Sequence, residues 1–113
     1  MIQIYHNSRC SKSRQCLSLI ENSGKKFEVI KYLENPPTIA ELTEIISKLE
    51  IEAIDLVRKK EKIWVEQFKD KVLSPKEIIE IMVKNPILIE RPIVISENKA
   101  VVARPIEKAL AII

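Results

Sequence analysis

Two cysteines, one histidine and a cluster of cations crowd the segment "IYHNSRCSKSRQC", residues 4–16. The alternation in "IQIYH", residues 2–6, predicts a strand, and from Ser11 onward the spacing of Cys16, Leu17 and Ile20 predicts a helix. Cys10 then falls at the strand-to-helix junction, where the unsatisfied first-turn N–H groups and the positive dipole end favour a thiolate. Arg9, Lys12 and Arg14 add positive charge nearby. A thiol in such surroundings titrates below the usual ~8.5 and is a plausible nucleophile at neutral pH. The same helix end suits an oxyanion, with the hydroxyls of Ser11 and Ser13 as donors beside the backbone N–H groups. The plainer alternative is that Ser11 or Cys10 simply caps a helix among solvated cations.

Cys16 reads differently. It lies six residues beyond Cys10, about 9 Å along a helix at ~1.5 Å per residue, and faces another side. That separation exceeds the ~7 Å a disulfide tolerates without backbone rearrangement. Cys16 continues the Leu17, Ile20 stripe, so a buried structural thiol is expected. Ser13 occupies the position three residues after Cys10 where a resolving cysteine usually stands, so an oxidised or adducted Cys10 needs an external thiol. His6, at the strand end, can favour the thiolate by charge or hydrogen bonding, or can simply pack. No metal site is expected, because one histidine and two cysteines supply too few ligands.

The elements that must position this chemistry follow from pattern. Gly24, the only glycine, suits a left-handed residue closing the first helix. "FEVIKYL", residues 27–33, reads as a second strand, giving a βαβ unit with parallel strands and a right-handed crossover. Thr38 and Glu41 form a capping box ahead of the apolar stripe Ile39, Leu42, Ile45, Ile46 and Leu49. Residues 51–58 read as a short helix, and Ser74-Pro75-Lys76-Glu77 opens another running to about Lys84. "ILIERPIVI" and "AVVA", joined by "SENK", read as an antiparallel strand pair. "RPIEKALAII" reads as a closing helix with proline in its first turn. Trp64 and Phe68, four apart, should pack the helical region. The expected fold class is α/β, a four-stranded mixed sheet flanked by helices.

Composition sets the outer bounds. At 113 residues the chain reads as a single domain that buries about two-thirds of its unfolded surface and folds without staples. The two cysteines and the absence of a charged-then-apolar leader predict a cytoplasmic, reducing setting. No apolar run nears the ~20 residues a membrane span needs. The net charge of +3 is too mild and dispersed to indicate nucleic acid. A small anionic substrate is equally consistent.

"YHNSRCSKSR", "KYLENPPT", "NPILIERPIVI" and "VVARPIEKAL" together resemble, in order, segments of the glutaredoxin-dependent arsenate reductases. The likeness spans nearly the whole chain. It implies a thioredoxin-like fold with an inserted helical region at about residues 38–84. It also implies Cys10 as catalytic cysteine, with His6 just upstream, and Arg58, Arg91 and Arg104 as binders of arsenate and its reduced product. Guanidinium forks suit such an oxyanion by bidentate, charge-assisted hydrogen bonds. Ser11, Ser13 and Arg14 complete the expected substrate-binding set. A cis peptide bond before Pro92 is a further implication, as is the absence of any bound cofactor, with glutathione as co-substrate and glutaredoxin as protein partner of a monomer. Two alternatives stay open: a thiol-switch transcription regulator that binds RNA polymerase, against which Ser13 in place of a second cysteine argues, and an oxidoreductase acting on another thiol substrate.

Overall fold

The computed structural model describes residues 1–113, which divide into two compact units: Met1–Asn35 with Arg91–Ile113, and Pro36–Glu90.

The first unit is built on the sheet. Strand β1 (Ile2–Tyr5) leads into helix α1 (Ser11–Asn22), and β2 (Phe27–Ile30) returns beside β1, parallel, with Ile2 opposite Phe27 and Tyr5 opposite Ile30. Gly24 takes φ +73 just past α1, the left-handed conformation expected of it. The second strand stops three residues earlier than its pattern suggested, because residues 32–34 turn while Tyr32 is buried at 1% exposure. Strands β3 (Ile93–Ser96) and β4 (Lys99–Val102) form the antiparallel pair, with Glu97 at φ 55 in the turn between them. The sheet order is β2-β1-β3-β4, and β3 runs antiparallel to β1. This is the mixed four-stranded α/β sheet of the expected class.

One face of that sheet makes a core. Ile2, Ile4 and Val94 meet Cys16 and Ile20 of α1, together with Ala103 and Ala109. Fully burying one such aliphatic side chain stabilises the fold by about 1.5–3 kcal/mol. The closing segment is a 3₁₀ helix, Ile106–Ala111, and Pro105 stands at its cap rather than inside its first turn. Its Ile106, Ile112 and Ile113 pack on the same core.

The second unit is helical. Helix α2 (Ile39–Leu49) opens with the expected capping box, Glu41 N donating to Thr38 Oγ1 at 3.1 Å and Thr38 N to Glu41 Oε1 at 2.9 Å. Helix α4 (Pro75–Lys84) repeats the device with Ser74 and Glu77. Between them lie a 3₁₀ turn (Ala53–Leu56) and helix α3 (Lys62–Gln67). Leu42, Ile45 and Ile46 of α2 and Ile78, Ile79 and Met82 of α4 are the buried residues of the two packed helices. Trp64 is buried and stacks tilted against Phe68, ring centroids 5.8 Å apart.

"ILIE" departs from expectation. Its first residues form a 3₁₀ turn, Pro86–Leu88, and Ile89 makes only an isolated bridge with Val57. Arg58 N donates to Leu88 O at 2.8 Å and Glu90 N to Leu56 O at 2.9 Å, so this apolar run completes the helical unit instead of extending β3. No helix is long and apolar enough to cross a membrane.

Candidate functional site

Cys10 is the N-cap of α1, in extended conformation (φ −94, ψ 122), and the residue is 8% exposed. The turn before it is tied down backbone to backbone and side chain to backbone. Cys10 N donates to Asn7 O at 3.0 Å, Arg9 N to Asn7 Oδ1 at 3.0 Å, and the Arg14 guanidinium to Ser8 O at 2.8 Å. Arg14 therefore braces the loop from an exposed position.

Sheet register explains which arginines arrive. Ile93 pairs with Val102. Continuing that antiparallel ladder outward sets Arg91 opposite Arg104, and Ala103 N still donates to Pro92 O at 2.9 Å. Arg104 Nε donates to Arg91 O at 2.7 Å, and Arg104 Nη2 reaches Cys10 Sγ at 3.5 Å across 94 positions of sequence. Tyr5 opposite Ile93 brings the end of β1, and hence the Cys10 turn, to the same edge. The Arg91–Pro92 bond is cis, as the resemblance implied, and Arg104–Pro105 is cis as well.

These groups set the sulfur's charge. Burial pushes the Cys10 pKa up, but the backbone N–H of Ser13, the Arg91 guanidinium, the N–H of Lys12 and the Arg104 guanidinium outweigh it, and the net shift is downward. The sulfur forms no formal cap hydrogen bond, so the first-turn amides act on it as dipoles. The charges that matter arrive from the far end of the sequence rather than from the neighbouring Arg9 or Lys12. Cys16 behaves oppositely: fully buried on α1, it is pushed up to about 11 by burial alone.

Ser13 and His6 form a pair that spacing did not suggest. Both are buried, Ser13 completely. His6 Nδ1 and Ser13 Oγ lie 2.7 Å apart, and Asn7 N donates to the same oxygen at 3.0 Å. The Ser13 hydroxyl can donate to an unprotonated Nδ1 or accept from Nδ1–H, so the direction of this bond follows the imidazole's tautomer. Burial first, then Lys31 and Arg14, hold the His6 pKa below its ordinary value, with Ser13 pulling weakly the other way. His6 thus reaches Cys10 through Ser13, whose hydroxyl is buried between His6 Nδ1 and Asn7 N. A signal was present: Ser13, Cys16 and Ile20 share the buried side of α1, a three-then-four spacing that marks position 13 as interior.

Ser11 is exposed at the first helical position. Arg58 belongs to the helical unit, where its guanidinium donates to Glu61 Oε1 at 2.8 Å. Among the expected site residues, the sheet unit gathers Cys10, Arg91 and Arg104 around one sulfur, with Ser13 and His6 behind it.

Comparison with known proteins gives a consistent result. The model of the ArsC family matches residues 5–112. The uncharacterized protein YfgD of Escherichia coli K12 is 43% identical, over 99% of this chain and 96% of its own length. A Neisseria meningitidis serogroup B protein named arsenate reductase is 41% identical, over 99% of this chain and 97% of its own. The solved structure of an arsenate reductase from Vibrio cholerae superposes with a TM-score of 0.95 at 41% identity, covering 99% of this chain and 97% of that one.

Proposed function

The chain belongs to the ArsC family, and from that premise we propose that it reduces arsenate to arsenite, with the Cys10 thiolate as nucleophile and glutathione and glutaredoxin as the external reductants. The observation that carries the reading is the sulfur itself: Cys10 at a helix N-terminus with the Arg104 guanidinium 3.5 Å away and the Arg91 charge acting on it.

Arsenate is a tetrahedral dianion. The two guanidinium groups and the first-turn N–H groups offset its charge and orient it, so that the thiolate approaches arsenic opposite a departing oxygen. An S–As bond forms, an As–O bond breaks, and the oxygen leaves as water after protonation. Those same groups stabilise the charge that builds on the remaining oxygens. For Arg58, which pairs with Glu61 in the helical unit, the role in binding arsenate is carried by the family resemblance alone.

Reduction needs a second sulfur. Cys16, the other thiol of the chain, is fully buried and its pKa is pushed up to about 11, so the second thiol comes from solution. A glutathione thiolate attacks the Cys10 sulfur of the adduct. The S–S bond forms as the S–As pair moves onto arsenic, which falls from As(V) to As(III) and leaves as arsenite. A glutaredoxin thiolate then takes the glutathionyl group and returns Cys10 as thiolate. No bound metal or organic cofactor enters the cycle.

The test is arsenite formation from arsenate with glutathione and glutaredoxin present. Turnover that disappears in Cys10→Ser and persists in Cys16→Ser supports the proposal, and turnover that survives in Cys10→Ser rejects it.

A further inference from the structure

The sheet unit carries a pocket that the attack on arsenic does not use. It encloses about 230 Å³ between loop residues 6–9 on one side and Lys31, Leu33 and Glu34 on the other. The walls meet because β1 and β2 are parallel neighbours: Tyr5 pairs with Ile30, and His6 N donates to Ile30 O at 2.8 Å. Both strands therefore end at one edge, the side of a parallel pair on which ligands gather.

The pocket's charges are uncommitted. The ion pairs Lys48–Glu44, Arg58–Glu61 and Lys62–Glu66 lie in the helical unit, away from this pocket. Arg9 and Lys31 are exposed with no carboxylate partner, and Lys31 lies near enough to His6 to help lower its pKa. Glu34 adds one anion and Leu33 an apolar surface, 39% exposed. Two separated cations, one anion and an apolar patch complement a small zwitterion with two carboxylates and one ammonium.

We infer that this pocket binds the external thiol that completes turnover, the glutathione proposed above. Arg9 and Lys31 take its two carboxylates, Glu34 takes its ammonium, and Leu33 lies along the chain between them. The assignment rests on the external-thiol step proposed above. Arg9 is the residue before Cys10, and adjacent Cα atoms stand about 3.8 Å apart, so a tripeptide held there spans the distance to the sulfur. A neutral thiol gains nothing from these charges, which makes the pocket a specificity element rather than a part of the arsenate site.

The test omits arsenate. S-methylglutathione is titrated into the Cys10→Ser protein and followed by backbone amide shifts. In protein with Cys10 intact, the rate at which the Cys10 thiolate attacks glutathione disulfide, forming Cys10–S–S–glutathione and releasing one glutathione thiolate, is compared with its rate on neutral bis(2-hydroxyethyl) disulfide. The expected result is amide shifts centred on residues 6–9 and 31–34. The Arg9→Gln, Lys31→Gln double variant should then react about tenfold more slowly with glutathione disulfide, the loss of two charge-assisted contacts, and within about twofold of wild type with the neutral disulfide. Shifts centred elsewhere, no shifts at all, or equal slowing with both disulfides would overturn the assignment. The two proposals fail separately: charge-dependent exchange in a protein that does not reduce arsenate removes the arsenate reading alone, and arsenate turnover with charge-independent exchange removes the pocket alone.

Discussion

Ser13→Ala removes a single oxygen and strands two polar groups, one buried on His6 and one half-buried on Asn7. In the native protein that oxygen accepts from Asn7 N at 3.0 Å and shares a hydrogen bond with His6 Nδ1 at 2.7 Å, at a site with no solvent exposure at Ser13. Leaving a buried donor or acceptor unsatisfied costs ~1–3 kcal/mol. Asn7 is only half-buried, so water recovers part of its share. The sum is about 2–4 kcal/mol, a large fraction of the ~5–15 kcal/mol that holds a domain folded. With a urea slope of about 1–3 kcal/mol per molar, the unfolding midpoint should fall by roughly 1–2 M at unchanged slope. His6→Phe in the same background replaces the second polar partner with an apolar ring, so the double variant should lose less than the two single losses added together. Cys10 N donates to Asn7 O at 3.0 Å, so loosening Asn7 should also raise the thiol's titration midpoint. A Ser13→Ala loss below ~0.5 kcal/mol, additive with His6→Phe, would refute the buried pair as a structural element.

Alkylation against pH should show Cys10 reacting with a midpoint below the free-cysteine value, because its pKa is lowered, while Cys16, buried and pushed up to about 11, reacts only when the protein unfolds; equal labelling of both thiols in native protein would contradict this. Arg104→Lys keeps the charge but loses the fork that bonds Arg91 O and faces Cys10 Sγ, so arsenate turnover should fall about a hundredfold, the effect of a lost ~3 kcal/mol transition-state contact, while the exposed position changes stability by under ~0.5 kcal/mol. The His6 pKa is lowered in the folded state by burial and by Lys31 and Arg14, so the folded protein binds fewer protons than the unfolded chain near the ordinary histidine pKa of ~6.5. The His6 contribution is therefore complete above that value and is lost as pH falls below it, and urea midpoints at pH 7.5 and 5.5 should converge in a His6→Phe variant relative to wild type.

Local chemistry made much of this architecture readable. The Thr38–Glu41 and Ser74–Glu77 boxes are complete within four residues, and Gly24 is the kind of residue a left-handed position selects. What local pattern does not encode is which apolar run finds a sheet neighbour. "ILIE" has the composition of a strand, yet Ile89 pairs only with Val57, because the helical unit needs that backbone to close its own hydrogen bonds. The site divides the same way. Cys10 at a helix start was legible, whereas the Arg104–Cys10 contact spans 94 positions and follows from the register of three strands. The burial of Ser13 was legible too, because its spacing with Cys16 and Ile20 sets it on the interior side of α1.

The central claim is that arsenic is reduced at the Cys10 sulfur. Rapid-quench mass spectrometry of the reduced protein mixed with arsenate and glutathione, without glutaredoxin, tests it directly. One glutathionyl group should accumulate on Cys10, none on Cys16, with one arsenite released for each group formed and no accumulation when arsenate is left out. Arsenite appearing while Cys10 stays unmodified, or glutathionylation that proceeds equally without arsenate, would contradict the account.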